Sequence, residues 1–377
     1  MDFNLTEERQ MLQDSLRRFL RDKYDTETRN KIIDSETGFS GEIWQEMAEL
    51  GVIGALFSED DGGFGGAGFD IATVFEELGR AGVVEPILDT ALLAGGLIAE
   101  IGNDTQKGMV EQIIAGEIHL ALAHGEPGSR YDLSRVTTTA SEVDGTIVLN
   151  GRKSVVSNGG TAGHLIVSAR ETGDAQDPDG ISLFLVPPDT QGLLITSSQL
   201  IGGGHSAEII LDDVHIPAEA RLGPKGKAFP ALEHQVSRAT VALCAEALGA
   251  METAMALTIE YLGQRKQFGR PIGSFQALQH RTADLLIELE QARSITILAA
   301  GHLQDARDIR ERHVSAAKHL IGRIGRQISE ESIQMHGGIA MTQEYALAHF
   351  AKRIVMIDHK LGDTDHHMER FIALGAA

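Results

Sequence analysis

The sequence predicts a mainly helical protein with a central β-domain. Apolar residues recur at helical spacing through residues 1–115, and the same period returns over residues 226–377. Between these stretches, residues 116–225 contain short β-rich segments separated by tight-turn dipeptides. We therefore expect an N-terminal helical domain, a middle β-domain and a C-terminal helical domain with these boundaries.

The N-terminal helices are predicted from capping residues and apolar faces. Asn4 or Thr6 can cap a first helix whose opening turn carries Glu7 and Glu8, where carboxylates suit the positive end of the helix dipole. Its buried face is expected to contain Met11, Leu12, Ser15, Leu16, Phe19 and Leu20. Further helices are expected at 43–50, 71–78, 88–101 and 107–115.

The middle region is predicted as an antiparallel sandwich or barrel. Strands are expected at 119–123, 136–140, 146–150, 165–169, 181–186 and 208–211. Asp144-Gly145 and Asn150-Gly151 are typical of tight hairpin turns, and no long helix interrupts the series.

The C-terminal region is predicted as a bundle of long helices with short connections. One buried stripe is expected at Leu285, Leu289, Ala292, Thr296 and Ala299, which share a helical face.

Composition narrows the class of function. Lys plus Arg number 33 and Asp plus Glu number 54, so the net charge is −21 and nucleic acid is a poor partner. Cys244 is the only cysteine and lies in an apolar run, which predicts a buried core residue and a reducing compartment. The N-terminus lacks signal-peptide features and no apolar run approaches a membrane span, so we expect a cytoplasmic protein.

Two motifs have weak functional interpretations. Gly63–Gly68 matches G-x-G-x-x-G, but the apolar segments that follow it are helical and supply no second parallel strand, so a loop between helices is a better interpretation than a nicotinamide site. The segment 359–367 is rich in His and Asp, yet adjacent residues do not converge on one ion. We expect no metal there, and a polar, solvated helix terminus instead.

A stronger signal lies in two segments of the C-terminal region. Arg265 precedes Phe268 and a Gly269-Arg270-Pro271 turn, and an arginine at such a junction can grip a diphosphate with two parallel hydrogen bonds. Gln334, Gly337 and Gly338 are typical of a place where missing side chains let a ligand approach the backbone. Each feature taken singly has an equally good structural explanation.

Taken together, the motifs resemble those of the acyl-CoA dehydrogenase family over nearly the whole chain. They are SEDDGGFGG at 58–66, GEPG at 125–128, LNGRKSVVSNGG at 149–160, YLGQRKQFGRPIGSFQ at 261–276 and QMHGGIAMTQEY at 334–345. The resemblance implies the same domain order, ending in a four-helix bundle. It also implies FAD, an acyl-CoA substrate and an electron-transferring flavoprotein as acceptor, in fatty-acid β-oxidation or related lipid metabolism.

The resemblance also implies which residues hold the cofactor. A neighbouring subunit's flavin would be contacted by Arg265, Phe268, Gln276, Gln334, Gly337 and Gly338. Ser157 stands where the family has a threonine at the flavin, a mild change. Other positions depart further: the usual threonine is Gly125, a Gly-Ser pair is Arg130-Tyr131, and the tryptophan beside the flavin ring is Val155.

The residue expected to act as the catalytic base is missing. The family's usual glutamate corresponds to Leu361, and its alternative position lies near Ala239; neither side chain can accept a proton. Asp363 and Asp358 are nearby carboxylates, with Asp363 the better substitute. An aspartate is one methylene shorter, and a misplacement of about 1 Å can cost ~10²-fold in rate.

Three functional hypotheses follow from this pattern. The first is the non-base-carrying small subunit of a heteromeric α2β2 acyl-CoA dehydrogenase, completed by a larger subunit and resembling most the small subunit of pimeloyl-CoA dehydrogenase. Such enzymes act on dicarboxylic or bulky acyl groups. The second is a self-sufficient homo-oligomeric acyl-CoA dehydrogenase with a substitute base. The third is a non-redox module that binds acyl-CoA or protein.

Overall fold

The computed structural model describes residues 5–375 and confirms the predicted fold class. The helices are α1 Glu7–Lys23, α2 Thr26–Ile33, α3 Gly41–Glu49, α4 Gly68–Ala81, α5 Gly96–Ile101, α6 Asp104–Ile114, α7 Phe229–Gln264, α8 Gln276–Gly301, α9 Arg307–His336, α10 Ala346–Asp358 and α11 Thr364–Gly375. The strands are β1 Leu120–Ala123, β2 Thr139–Val143, β3 Thr146–Ser157, β4 His164–Arg170, β5 Ile181–Val186, β6 Leu193–Gln199, β7 His205–Pro217, β8 Arg221–Leu222, β9 Lys266–Gln267 and β10 Arg270–Pro271.

The described residues form two compact units, and each unit is discontinuous in sequence. One unit, here called the bundle unit, takes the chain up to Lys31, Ala67–Val83 and everything from Thr240 onward. The other, the sheet unit, takes Ile32–Gly66 and Val84–Ala239. The three consecutive domains expected at 1–115, 116–225 and 226–377 stay a prediction.

The sheet unit is built on an eight-stranded sheet with the order β6-β7-β3-β2-β4-β5-β8, in which β1 pairs with β4. The β1–β4 ladder is parallel, as is a single β2–β4 pair, whereas the other ladders are antiparallel. Parallel pairing needs a long crossover, and here the β2–β3 hairpin lies between β1 and β4 in the chain. The predicted Asp144-Gly145 turn joins β2 to β3, with positive φ at both residues.

A buried segment of π-helix, Leu88–Gly95, precedes α5 in the sheet unit. The apolar period predicted a helix over 88–101, and the structure adds this wider turn within it. Thr90 anchors the segment to β1, since its hydroxyl donates to the Leu120 carbonyl (3.0 Å) and accepts from the Leu120 amide (3.3 Å). π-Helical turns are rare and cluster at functional sites.

In the bundle unit, the apolar face predicted for the first helix is confirmed only in part: Leu16 and Leu20 are buried, whereas Met11 and Ser15 are exposed. The Thr6 hydroxyl accepts from the Arg9 amide at the start of α1, whereas Asn4 lies outside the described residues. The predicted stripe on α8 is buried throughout. Arg17 on α1 donates two hydrogen bonds to buried Glu77 on α4, at 2.9 and 2.6 Å. These contacts fix α1 against α4.

Helix α7 is the long apolar core helix of the protein. By length and composition it meets the criterion for a membrane span, but 72% of its most apolar window is buried inside the protein. Buried helices of globular proteins meet the same criterion. Leu243, Cys244 and Ala245 on α7 are inaccessible to solvent or nearly so, and burial raises the pKa of the Cys244 thiol to about 12.

Two glycines allow α4 and α7 to cross at backbone contact. A Cβ atom at Gly79 would overlap the Glu246 carbonyl oxygen, and one at Gly249 would overlap the Glu76 carbonyl oxygen. Both obstacles are backbone atoms, which cannot rotate away as a side chain can. The close crossing therefore depends on glycine at both positions.

We expect Gly79→Ala to lower the free energy of unfolding by about 2–3 kcal/mol, because the added methyl group forces the two helices apart. Gly108→Ala on α6 is the matched control, since nothing lies within 4 Å of a Cβ at Gly108. Alanine should stabilise that exposed helix by about 0.5–1 kcal/mol. Urea unfolding measures both changes, and equal effects of the two variants would contradict the crossing argument.

Candidate functional site

The first predicted segment forms a short hairpin that projects from the bundle unit. Gln267 pairs with Arg270 and Lys266 with Pro271, leaving Phe268 and Gly269 as a two-residue turn. Their φ angles are 55° and 79°, as a type I′ turn requires. Phe268 is 91% exposed. A phenylalanine in this backbone region costs about 1–2 kcal/mol and gains no burial in return, which points to a functional role.

Three polar side chains of the two predicted segments have no hydrogen-bond partner among the described residues. Across residues 5–375, no group hydrogen-bonds the guanidinium of Arg265 or the side-chain amides of Gln276 and Gln334, and all three residues are exposed. By contrast, Arg281 on the same helix as Gln276 is paired with Glu331. An exposed, unpaired guanidinium in an otherwise acidic protein suits an anionic ligand such as a diphosphate.

In the second predicted segment, the backbone conformation at position 337 requires glycine. Gly337 has φ 72° and ψ −150°, a conformation essentially restricted to glycine. A Cβ at Gly337 or Gly338 would meet nothing within 4 Å, so the backbone there faces open space. A ligand can approach this surface without first displacing protein atoms.

An aromatic cluster joins the two segments. The Tyr261 and His336 rings stack with centroids 4.5 Å apart, and His336 Nε2 lies 3.1 Å from the Tyr345 hydroxyl. His336 Nδ1 donates to the Ser332 carbonyl at 2.8 Å. Burial lowers the pKa of His336, so the ring is neutral and Nε2 can accept from Tyr345. The cluster thereby brings the end of α7 next to the start of the Gly337-Gly338 turn.

Ser157 lies in the sheet unit, at the end of β3. Just before it, β3 carries one extra residue relative to β7 between Lys153 and Val156. Val155 in this bulge has φ 54° and is 69% exposed, which is a genuine outlier for a β-branched residue. After Ser157, the Asn158 side-chain amide donates to buried Asp89 at 3.0 Å.

A buried ion pair fixes the loop that contains Gly125. Lys153 Nζ lies 2.6 Å from Glu126 Oε1, and both side chains are almost inaccessible. Glu126 also accepts from the Thr137 amide (2.7 Å), the Thr137 hydroxyl (2.5 Å) and the Thr138 amide (3.0 Å). Burial opposes ionisation, yet Lys153 and these donors hold the pKa of Glu126 at about 2. Burial lowers the pKa of Lys153 to about 8.

The loop that contains Leu361 is held by a buried lysine. Lys318 on α9 donates to the Asp358 carbonyl (2.8 Å) and the Gly362 carbonyl (2.5 Å), and burial lowers its pKa to about 8. Leu361 has φ 59° and Gly362 has φ 110°. The prediction of a solvated helix terminus over 359–367 is therefore wrong, because Gly362 and His367 are buried.

Both candidate carboxylates are already engaged near this loop. Asp363 caps α11, since its Oδ1 accepts from the His366 amide at 2.9 Å. Asp358 Oδ1 accepts from the Thr364 hydroxyl at 2.9 Å. Ala239, at the other family position for a base, is fully buried in α7.

The structural roles of three buried charged residues were not predictable from the sequence. Asp89, Glu126 and Lys318 are buried charged residues whose roles depend on contacts far away in the chain. The signal available was a charged residue inside an apolar pattern, as at Lys153 between buried positions of β3. Such a pattern indicates a paired charge but does not identify its partner.

We expect Lys153→Met to lower the free energy of unfolding by about 3–5 kcal/mol, because Glu126 is left as a buried, unpaired charge. The double variant Glu126→Gln/Lys153→Met should be at least about 1 kcal/mol more stable than Lys153→Met. Denaturant unfolding of the single and double variants measures the difference. A double variant no more stable than Lys153→Met would contradict the pairing.

The Lys153–Glu126 ion pair also predicts that the free energy of unfolding falls at acid pH. The folded pKa of Glu126 lies below its unfolded value of about 4.3, so its stabilisation is complete above that value. The contribution is lost as pH falls from about 4.3 toward 2. The stability difference between wild type and Glu126→Gln should narrow across this window.

Comparison with known proteins places these features in one family. Three family profiles match the chain: "Acyl-CoA dehydrogenase, N-terminal domain" over residues 6–117, "middle domain" over 121–214 and "C-terminal domain" over 229–373. Together they span the helices and the sheet in the observed order.

Curated relatives are similar along the full chain. A short-chain-specific acyl-CoA dehydrogenase of Megasphaera elsdenii is 31% identical over 92% of this chain and 92% of its own length. The probable acyl-CoA dehydrogenase YngJ of Bacillus subtilis is 29% identical over 99% of this chain and 98% of its own length.

Solved structures share the fold. A chain of a variant of the Tcur3481–Tcur3483 steroid ACAD is 30% identical with a TM-score of 0.88, covering 98% of both chains. Butyryl-CoA dehydrogenase from Megasphaera elsdenii is 28% identical with a TM-score of 0.90, covering 100% of both chains. With these similarities over its whole length, the chain belongs to the acyl-CoA dehydrogenase family.

Proposed function

We propose that this chain is the non-base-carrying subunit of a heteromeric, FAD-dependent acyl-CoA dehydrogenase of α2β2 type. The observation that carries the proposal is Leu361, an apolar residue at the position of the family's catalytic glutamate. The nearby carboxylates of Asp363 and Asp358 serve helix capping and a hydroxyl contact. Proton abstraction from the acyl-CoA is therefore assigned to the partner subunit.

The candidate residues of the bundle unit suit the diphosphate part of FAD. Arg265, Gln276 and Gln334 offer unpartnered hydrogen-bonding groups, and Gly337 and Gly338 leave the backbone accessible. We assign Arg265 to the diphosphate and Phe268 to covering the cofactor from solvent. FAD itself, when bound, supplies the hydride acceptor of the family's desaturation reaction.

The residues of the sheet unit fit the flavin ring less well. Ser157 retains a hydroxyl for a hydrogen bond, but Val155 replaces the family's tryptophan and Gly125 its threonine. A Cβ at Gly125 would lie 3.0 Å from the Ser154 carbonyl oxygen, so the present backbone favours glycine. This chain thus keeps the groups contributed to a neighbour's cofactor and has lost several that would bind its own.

We propose a bulky or dicarboxylic acyl-CoA as substrate, with the pimeloyl type as one member of that class. The structure named for two gene products, Tcur3481 and Tcur3483, is described as a steroid ACAD. The name of the relative CarC of Acetobacterium woodii places it in a caffeyl-CoA reductase–Etf complex. We accordingly propose an electron-transferring flavoprotein as electron acceptor and the cytoplasm as location.

A self-sufficient homo-oligomeric dehydrogenase is the second candidate. Asp363 favours it, because this carboxylate lies two residues after Leu361 on the same loop. A non-redox module that binds acyl-CoA or protein is the third, since the fold alone does not fix the chemistry.

Purified alone, the chain should retain little flavin and should not reduce a dye with any acyl-CoA. Co-expression with a larger acyl-CoA dehydrogenase subunit should restore both the yellow colour and the activity, because each chain completes the other's site. Flavin absorbance and dye reduction measure the two effects. Turnover of an acyl-CoA at a normal rate by the chain alone would contradict the proposal of a heteromeric enzyme.

Asp363→Asn should leave the activity of the complex within about twofold of wild type. Asparagine also caps helices well, so α11 keeps its N-terminal hydrogen bond while the carboxylate is lost. Asp358→Asn is the matched control. A fall of about 10²-fold or more on Asp363→Asn alone would identify a substitute base and favour the self-sufficient enzyme.

A further inference from the structure

The exposed Phe268 ring is not isolated, because it contacts a second aromatic ring. Phe268 and Phe275 meet edge to face, with centroids 6.2 Å apart and planes at 88°. On Phe275, the guanidinium carbon of Arg270 lies 4.3 Å from the ring centroid. Arg270 and Phe268 therefore both contact Phe275 from within one hairpin.

The hairpin is too short to hold this arrangement by its backbone alone. Its two strands have two residues each, and isolated hairpins of this kind are marginal in water. Phe275 is different, because it immediately precedes α8 and its carbonyl accepts from the Leu278 and Gln279 amides at 3.0 and 3.2 Å. The main chain of Phe275 is thus held at the start of α8, so its ring is attached to a regular helix at the base of the hairpin.

Arg270 has no competing partner for its charge. Throughout the described chain, no carboxylate pairs with its guanidinium, which is exposed apart from its stacking on Phe275. A guanidinium is planar and stacks on a ring face, whereas a lysine ammonium is a compact, strongly hydrated charge. The contact therefore depends on arginine in particular.

We propose that Arg270 is a positioning residue for the cofactor: by clamping the Phe275 ring, it fixes Phe268 in the orientation that contacts a neighbouring subunit's FAD. The inference rests on the proposed function, because it assigns Phe268 to that cofactor. Arg265 acts through charge at the diphosphate, whereas Arg270 acts through its contact with the Phe275 ring.

The test compares FAD release from the co-purified complex for wild type, Arg270→Lys, Arg270→Met and Arg265→Ala. Flavin fluorescence after dilution gives the release rate. Arg270→Lys and Arg270→Met should both accelerate release by about 2- to 5-fold, the loss expected for one exposed stacking contact. Arg326→Met on α9, which removes an exposed ion pair with Glu330, is the control and should not change the rate.

The Arg265 and Arg270 variants distinguish a failure of this inference from a failure of the proposed function. Unchanged release in Arg265→Ala would overturn the contribution of this segment to a flavin. Faster release in Arg265→Ala with a wild-type rate in Arg270→Lys would overturn only the positioning role, since lysine keeps the charge. Unfolding midpoints should not move in any Arg270 variant, because the residue is exposed.

A second measurement needs no partner subunit. The indole introduced by Phe268→Trp should report on the orientation of the hairpin through its fluorescence anisotropy, with the buried Trp44 as a constant background. Adding Arg270→Met should lower the anisotropy, because the ring loses its support. Unchanged anisotropy would show that Arg270 does not fix the hairpin.

Discussion

The candidate cofactor-binding surface of the bundle unit depends on one aromatic cluster, in which Tyr261 stacks on His336 and His336 contacts Tyr345. Arg265 follows Tyr261 by one helical turn, and its amide donates to the Tyr261 carbonyl at 2.8 Å. Gly337 follows His336 directly. Segments far apart in the chain are thus joined through two side chains, and the neutral state of the buried imidazole lets it accept from Tyr345. The Tyr261 ring also meets the Tyr345 ring edge to face, with centroids 6.5 Å apart, so the same cluster joins the segments at a second point.

Three residues at positions of the candidate site have backbone conformations that their side chains do not favour. Arg130 has φ 49° where the family pattern has glycine, and Val155 and Leu361 also lie in the left-handed region. Each costs about 1–2 kcal/mol relative to an ordinary conformation. The surrounding structure enforces these conformations, as Lys318 does for the loop at Leu361.

Much of the fold could be predicted from the sequence because period and turn chemistry are local, but the turn expected at Asn150-Gly151 is wrong, since both residues lie inside β3. The stripe on α8 and the Asp144-Gly145 turn each follow from neighbours a few residues apart. The parallel β1–β4 pairing could not be predicted, since it depends on which distant strand reaches β1. Strand β6 was missed because it is an edge strand with largely exposed residues, so its apolar signal is weak.

The candidate site likewise contains some features that a local motif predicts and others that depend on distant contacts. Arg265 and Gly337 were identified by motif, and the structure supplies the physical reasons that a motif lacks, namely an unpaired charge and a glycine-only conformation. The burial of His367 was not predicted, because its burial comes from packing around Lys318 rather than from local sequence.

The wide helical turn at Leu88–Gly95 restricts how the length of this region can change. In an α-helix each residue turns the chain by about 100°. Removing one residue here would restore regular helix but rotate Asp89 and Thr90 by that angle relative to Leu97. The hydrogen bonds of Asp89 to Asn158 and of Thr90 to Leu120 could then not coexist with a buried Leu97. A one-residue insertion or deletion in this segment therefore changes which of its side chains can be buried and hydrogen-bonded.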